Sequence, residues 1–383
     1  MSRAHSTADA EVRRALLAVL IARSAINGAL RVVYPFLPAI GRGLGVSLNA
    51  VAAVVAVRNL GGLAAPLGAW ASERSGRRSP MLLGIAAVAG GCLLTASTRW
   101  FGVAAAGIVI VGVAKSVFDV EMQAWFGDRV AYRERGRVFG VTELAWPLGL
   151  IVTVPASGLL IERLGWQAPF VLAGVLSLAG AVVVGRLIAP DRPERHIVKP
   201  LALTSDRAAL LGVVLLFSAS AELIFVVYGE WLESSMGLSV AGIGLFTIAV
   251  VAAELAGEAA VTLVADRLGL RRMTLAGLGA SALGYLALGL VGRSLLLAVV
   301  VVIIWVAAFE VTIVAAVPLA SEVAPESRDR LLSLFSVAVA LGRAVGALAA
   351  PPLYAAGGIA LNGLVAAAGA LAAAAILGRL KGD

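Results

Sequence analysis

Apolar residues in this chain come in runs of roughly 20, each closed by a short polar or charged loop, the length an α-helix needs to cross the hydrocarbon core of a bilayer. Twelve such runs can be marked, at about 15–38, 47–71, 80–98, 101–126, 138–161, 167–189, 207–232, 240–264, 272–291, 295–319, 331–355 and 358–378. They predict an all-α membrane protein of twelve transmembrane helices, spans 1 to 12. Composition points the same way: 60% of residues are hydrophobic, 14% are charged, and the mean hydropathy is +0.97. A soluble domain is nearer half apolar and a quarter charged.

Basic residues orient the spans. With both termini taken as cytoplasmic, 22 of the 31 Lys and Arg fall in cytoplasmic segments and four (Arg42, Arg99, Arg163 and Arg293) in outer loops. The positive-inside rule requires that bias. The net charge of +8 is therefore an orientation signal. It is not a nucleic-acid footprint, which would gather the basic residues on one accessible face. Cys92 is the sole cysteine, so no disulfide within the chain and no cysteine-based metal site can form. His5 and His196 lie outside the spans, and neither a phosphate-binding Gly-x-x-x-x-Gly-Lys-Ser/Thr nor a His-Glu-x-x-His motif occurs. These absences leave no expected catalytic residue, metal or bound cofactor.

The chain repeats itself at about half its length. Val32-Val33-Tyr34 returns as Val226-Val227-Tyr228, and Gly45-Val46-Ser47 as Gly237-Leu238-Ser239. Glu73-Arg74-Ser75-Gly76 returns as Asp266-Arg267-Leu268-Gly269, Phe118-Asp119-Val120 as Phe309-Glu310-Val311, and Arg135-Gly136-Arg137 as Arg328-Asp329-Arg330. The order is kept throughout, which predicts two pseudo-symmetric six-helix bundles. Residues 1–14 form a cytoplasmic lead-in, 15–189 the first bundle, 190–206 a linker rich in Pro and charge, and 207–383 the second bundle. An even number of spans per half makes the repeat parallel, with an expected cavity between the halves near the midplane and transport by rocking of one half against the other.

Ala69-Trp70-Ala71-Ser72-Glu73-Arg74-Ser75-Gly76-Arg77-Arg78 resembles the signature loop of the major facilitator superfamily, Gly-x-Leu-Ala-Asp-Arg-x-Gly-Arg-Arg. Val264-Ala265-Asp266-Arg267-Leu268-Gly269-Leu270-Arg271-Arg272 repeats it at the corresponding junction of the second half. Departures are Glu73 for the Asp, and Ala69 and Thr262 at the leading Gly. The resemblance covers the whole chain, including Gly158 to Phe170, and its nearest flavour is the twelve-span efflux branch, near the arabinose-efflux-permease-like and drug:proton antiporter groups. Val154-Pro155-Ala156-Ser157-Gly158-Leu159 keeps the Pro and one Gly of the antiporter signature of span 5. The resemblance implies a secondary transporter in the cytoplasmic (inner) membrane, driven by a proton gradient, carrying a small-molecule solute and functional as a monomer in the lipid bilayer. It also implies that Asp119 partners the loop.

From this follows an expected cytoplasmic gate of Glu73, Arg74, Gly76, Arg77, Arg78 and Asp119, repeated as Asp266, Arg267, Gly269, Arg271, Arg272 and Glu310. Its carboxylate would accept from helix N–H groups, and its arginines would clamp the span-4 or span-10 acid.

Ionisable groups inside the spans need partners or a wet cavity. Arg23, Asn27 and Arg31, at i, i+4 and i+8, make one polar stripe on span 1. Arg58 and Lys115 are the other deep basic residues of the first half; Glu222, Glu254, Glu258 and Arg343 are deep in the second. These nine are the expected substrate or proton pathway, with Glu222, Glu254 and Glu258 the candidate coupling carboxylates. Ion pairing alone is the competing account: Lys115 with Asp119, Arg343 with Glu222 or Glu254, and Arg58 with a carboxylate. The solute is expected to be amphipathic or polar. A lipid or lysolipid flippase, a sugar exporter and a non-transporting receptor are the alternatives.

Overall fold

The computed structural model describes residues 2–130, 132–191, 203–323 and 327–380; the side chains of residues 2–10, 65, 66, 69, 132, 133, 135–137 and 329 lie outside the description. Most of the expected linker, His196 and the Arg135-Gly136-Arg137 side chains are thus outside it. Among the described residues every regular element is a helix: α1 (Ser2–Arg31), α2 (Leu37–Leu44), α3 (Leu48–Asn59), α4 (Ala65–Ser75), α5 (Arg78–Ala96), α6 (Phe101–Arg129), α7 (Tyr132–Glu143) and α8 (Ala145–Leu164). They continue as α9 (Ala168–Leu187), α10 (Ser205–Phe225), α11 (Tyr228–Met236), α12 (Val240–Leu268), α13 (Leu270–Leu288), α14 (Leu295–Val323) and α15 (Arg328–Arg379), with a 3-10 turn at Leu60–Ala64 between α3 and α4.

Among the described residues, eight helices are long and apolar enough to cross a membrane, and the pair Leu37–Leu44 and Leu48–Ala64, bent by 114°, makes a ninth if taken as one span. The twelve runs map onto these elements. Span 1 carries Arg23 and Arg31, and α13 opens on Arg271 and Arg272, which lowers their hydropathy. Spans 11 and 12 both lie in α15, whose backbone leaves helical geometry at Gly357 (φ −154°, ψ 20°) and Gly358 (φ 61°, ψ −162°). There the chain reverses: Asn362 Nδ2 donates to the carbonyl of Ala350, twelve residues earlier, at 2.9 Å. In a straight helix those residues would stand about 18 Å apart. Gly358 supplies a positive φ that a side chain would resist.

The internal repeat is visible as matched backbone events. Span 1 breaks at Val32-Val33, between α1 and α2, and span 7 breaks at Val226-Val227, between α10 and α11. Gly45 and Gly237 both take positive φ, 69° and 67°. The serines that follow cap the next helix: Ser47 Oγ accepts from Ala50 N–H and Ser239 Oγ from Gly242 N–H.

Two compact units are formed: Met1–Val33, Arg42–Val46 and Leu60–His196 make one, and Tyr34–Gly41, Ser47–Asn59 and Ile197–Asp383 the other. The first has a core of Ile26, Ile85, Val88, Phe118, Met122 and Trp125; the second is built on Leu210, Val214, Phe217, Leu278, Leu331 and Phe335. Lipid is as apolar as leucine, so helices associate through close backbone approach at small residues. A Cβ on Gly107 would stand 2.5 Å from the Gly91 carbonyl, and one on Gly91 2.7 Å from that of Gly107. In the second unit Gly342 and Gly346 of α15 lie against the carbonyls of Leu215 and Ala219 of α10, where a Cβ would meet oxygen at 2.3 and 2.4 Å.

Candidate functional site

That glycine contact builds the first polar cluster. With α15 lying so close to α10, Arg343, flanked by Gly342 and Gly346, reaches Glu222 directly. Arg343 Nε donates to Glu222 Oε2 at 2.9 Å, and its Nη2 donates to the Tyr34 hydroxyl at 2.9 Å. Tyr34 Oη donates to Glu222 Oε1 at 2.7 Å, and Asn59 Nδ2 donates to the same oxygen at 2.7 Å. Glu222 is fully buried, and Tyr34 and Arg58 nearly so. Arg58 Nη2 donates to Asn59 Oδ1 at 3.3 Å while its guanidinium lies 4.8 Å from the centre of the Tyr34 ring, within cation–π range. An aromatic chain holds the tyrosine: Tyr34 packs on Phe225, Phe225 edge-on to Trp305, and Trp305 on Tyr285. One carboxylate thus gathers donors from span 11, from the end of α3 and from the break after α1.

The second cluster lies in the first unit. Arg23 Nε pairs with Asp119 at 3.2 Å, and its Nη1 donates to the Thr142 carbonyl at 2.8 Å and to Glu143 Oε1 at 2.9 Å. Lys115 also pairs with Asp119, one helical turn away on α6. Arg31 stacks over Trp146, 4.5 Å from the ring centre, with the Lys115 ammonium 5.9 Å from the same ring. Asn27, between Arg23 and Arg31 on the stripe, is wholly buried.

The signature loop is arranged differently from its expectation. Arg77 pairs with Glu121 at 3.3 Å and with Asp128 at 3.2 Å, whereas Asp119 points to Arg23 and Lys115. Residues 119 and 121 differ by about 200° around a helix, so only one of them can face the loop. Glu73 is exposed, and the carboxylate that accepts from a helix N-terminus is Asp191 instead. Its oxygens take the N–H groups of Arg77 at 2.8 Å and Arg78 at 3.0 Å, capping α5. Gly76 (φ 74°) lets the chain turn against Asp191, where a Cβ would lie 2.5 Å from its carbonyl oxygen. Asp191→Ala is expected to lower stability by about 1 kcal/mol, as the loss of a cap does. Thermal melting in detergent reads it, and Asp191→Asn, which keeps an acceptor, should lose less.

What the two loop copies share is the arginine two positions after the loop glycine, Arg78 after Gly76 and Arg271 after Gly269. Arg78 Nη2 donates to the carbonyl of Gly185 at the end of α9, and Arg271 Nη2 donates to those of Leu377, Gly378 and Leu380 at the end of α15. Each arginine ties its loop to the C-terminus of the last span of its own half, where a cation is favoured by the helix dipole. Arg74 lies over Trp70, at 3.9 Å from the ring. Asp266, Arg267, Gly269 and Arg272 are exposed, and Glu310 is buried beside Gly257, where a Cβ would meet its own at 2.6 Å. Of the other candidate carboxylates, Glu254 is buried and Glu258 half-buried on α12.

Several partners escaped the sequence reading: Tyr34, Glu121, Glu143, Trp146 and Asp191. Tyr34 had a visible signal, since it ends the repeated Val-Val-Tyr, and Asp191 stood among the linker charges.

Apolar helices of spanning length, with ionisable side chains buried and paired among them, define a polytopic α-helical membrane protein. The Major Facilitator Superfamily model matches residues 19–208 and again residues 209–382. The chain belongs to that superfamily; it is a membrane transporter of small molecules and not an enzyme. Tetracycline resistance protein, class C, of Escherichia coli is 24% identical over 327 residues, 80% of each chain. The uncharacterized MFS-type transporter YwfA of Bacillus subtilis (strain 168) is 23% identical over 358 residues, 88% of this chain and 84% of that one. Among solved structures, a bacterial homolog of the human lysosomal transporter Spinster, in an inward-facing and unoccupied conformation, shares the fold. Its TM-score is 0.71 over 97% of this chain and 95% of that chain, at 14% identity.

Proposed function

We propose that this transporter exports a small amphipathic or polar organic solute across the cytoplasmic membrane in exchange for protons, by alternating access and as a monomer. The observation that carries this reading is Glu222. It is a fully buried carboxylate whose hydrogen-bond donors come from segments far apart in sequence, Tyr34, Asn59 and Arg343. A buried charge exists only while such partners hold it. Movement of the segments bearing Tyr34 and Asn59 during the cycle changes how many donors the carboxylate has, and so lets it take up and release a proton. The resistance function in the name of the Escherichia coli relative favours export.

Glu222→Gln keeps the shape and both neutral donors near it but cannot carry the proton. Reconstituted into proteoliposomes with an imposed pH gradient, and offered a panel containing tetracycline and aromatic carboxylates, it should lose proton-linked transport by about tenfold or more, the loss expected of a proton carrier. Glu254→Gln and Glu258→Gln, tested beside it, should retain coupling. Full proton-driven transport by Glu222→Gln would refute the assignment.

A further inference from the structure

Span 7 breaks about one turn after Glu222, and the break leaves a backbone carbonyl to be satisfied. Val226 N–H still closes onto the Glu222 carbonyl at 3.2 Å, but Val227 N–H goes to that of Ile224 at 3.1 Å. The Leu223 carbonyl thus loses the donor that a continuing helix would give it. Leu223 is buried, and hydrocarbon offers no water in exchange. Asn362 of span 12 supplies the donor. Its Nδ2 reaches the Leu223 carbonyl at 2.9 Å and, through its second hydrogen, that of Ala350 at 2.9 Å. Asn362 is 0% exposed and its Oδ1 has no partner among the described residues, so the amide serves there through its NH2 group alone. The two carbonyls belong to the helices that carry the buried ion pair. Leu223 follows Glu222 on α10, and Ala350 stands seven residues, about two turns, beyond Arg343 in span 11. The half-length repeat does not account for this amide. At the repeat's offsets, 191 from Phe118 to Phe309 and 194 from Val32 to Val226, Asn362 falls on residues 168–171, Ala-Pro-Phe-Val, none with a polar side chain. A tie that the fold alone required would recur in both halves; this one occurs in the half that holds the buried carboxylate.

We propose that Asn362 is a positioning residue for proton exchange at Glu222: by tying Leu223 to Ala350 it holds span 7 broken and sets the carboxylate against Arg343. The groups that face Glu222 are Arg343 from span 11, the Tyr34 hydroxyl from the break after α1, and Asn59 and Arg58 at the end of α3. From α14 the rings of Trp305 and Phe309 pack on Phe225. Asn362 bonds the backbone beside these groups, so its effect on the carboxylate passes through the chain it holds. Without the tie, Val227 N–H is free to close onto Leu223 as in a straight helix, and the rotation that follows draws Glu222 away from Arg343. The inference rests on the reading of Glu222 as the group that carries the proton.

Dicyclohexylcarbodiimide, which modifies protonated carboxyl groups in apolar surroundings, tests this without a solute. Asn362→Leu is similar in size and lacks the donors. In that purified variant at neutral pH, Glu222 should be labelled about tenfold faster than in the wild type, the factor that the loss of one hydrogen bond supplies. A carboxylate held less firmly by its cation takes a proton more readily, and mass spectrometry of the Glu222 peptide reads the rate. Glu254, buried on α12, is the internal reference and should keep its wild-type rate. Asn362→Ala, which adds no bulk, should behave as Asn362→Leu does. Asn362→Gln, which keeps the NH2 group, should stay within about threefold of the wild type. Unchanged labelling of Glu222 in both the Leu and Ala variants, an equal rise at Glu254, or a Gln variant as fast as the Leu variant would overturn the proposal. Faster labelling of Glu222 in Asn362→Leu together with full proton-driven transport by Glu222→Gln would leave the hold on Glu222 standing and remove the coupling reading. Unchanged labelling together with decoupling in Glu222→Gln would do the reverse.

Discussion

Arg343→Met is expected to lower the stability of the purified protein by about 3 kcal/mol, the low end of the cost of breaking a buried ion pair by removing one partner. Glu222 is 1% exposed and keeps the Tyr34 hydroxyl and Asn59 amide, but it loses the guanidinium that balances its charge. The low end applies because Arg343 itself is 28% exposed, so part of its charge is already solvated. Removing both charges, as Glu222→Gln with Arg343→Met, should recover most of the loss, since no uncompensated charge is then buried. Thermal or denaturant unfolding of the two single variants and the double variant closes the cycle. If the losses simply add, the pair is not coupled and the geometry around Glu222 has no energetic meaning.

Gly107→Val should cost a comparable amount by a different mechanism. Its Cβ would stand 2.3 Å from Thr95 Oγ1 and 2.5 Å from the Gly91 carbonyl, a contact with backbone that no side-chain movement relieves. Overpacking of this kind costs about 3 kcal/mol when the backbone must shift, and in a membrane it removes the close approach that holds α5 to α6. Gly90 is the internal control. It neighbours Gly91 on the same helix, but nothing lies within 4 Å of a Cβ placed there. Gly90→Ala should therefore be neutral or raise stability by up to about 1 kcal/mol through helix propensity. Parallel melting curves would show the contrast, and equal behaviour of the two variants would remove the glycine contact as a source of stability.

The two effects concern different links in the same chain of causes. Gly342 and Gly346 let α15 approach α10 closely, and the approach delivers Arg343 to Glu222. A sequence shows that small residues pack and that buried charges pair. It does not show that one arrangement produces the other.

The apolar runs, the basic bias and the half-length repeat were all legible in the sequence, because each depends on local physics. A bilayer sets the length of a span, and matched glycines such as Gly45 and Gly237 reappear with matched positive φ. The i, i+4 pair of Lys115 with Asp119 was legible for the same reason, since helix geometry alone makes those positions neighbours. Arg343 had two acids within the sequence's reach, Glu222 and Glu254, and nothing local favours either; the register of α15 against α10 selects Glu222.

Only the tertiary structure decided that Arg77 meets Glu121 and Asp128 while Asp119 turns to Arg23, because that depends on how α6 is rotated against its neighbours. It also decided that Asp191, distant in sequence, caps α5, and that Tyr34 and Asn59 share an oxygen of Glu222. Contacts between residues on different segments, from 44 positions apart for Arg77 and Glu121 to 188 for Tyr34 and Glu222, carry no periodicity along the chain. They arise from packing, and packing is where the candidate site was made.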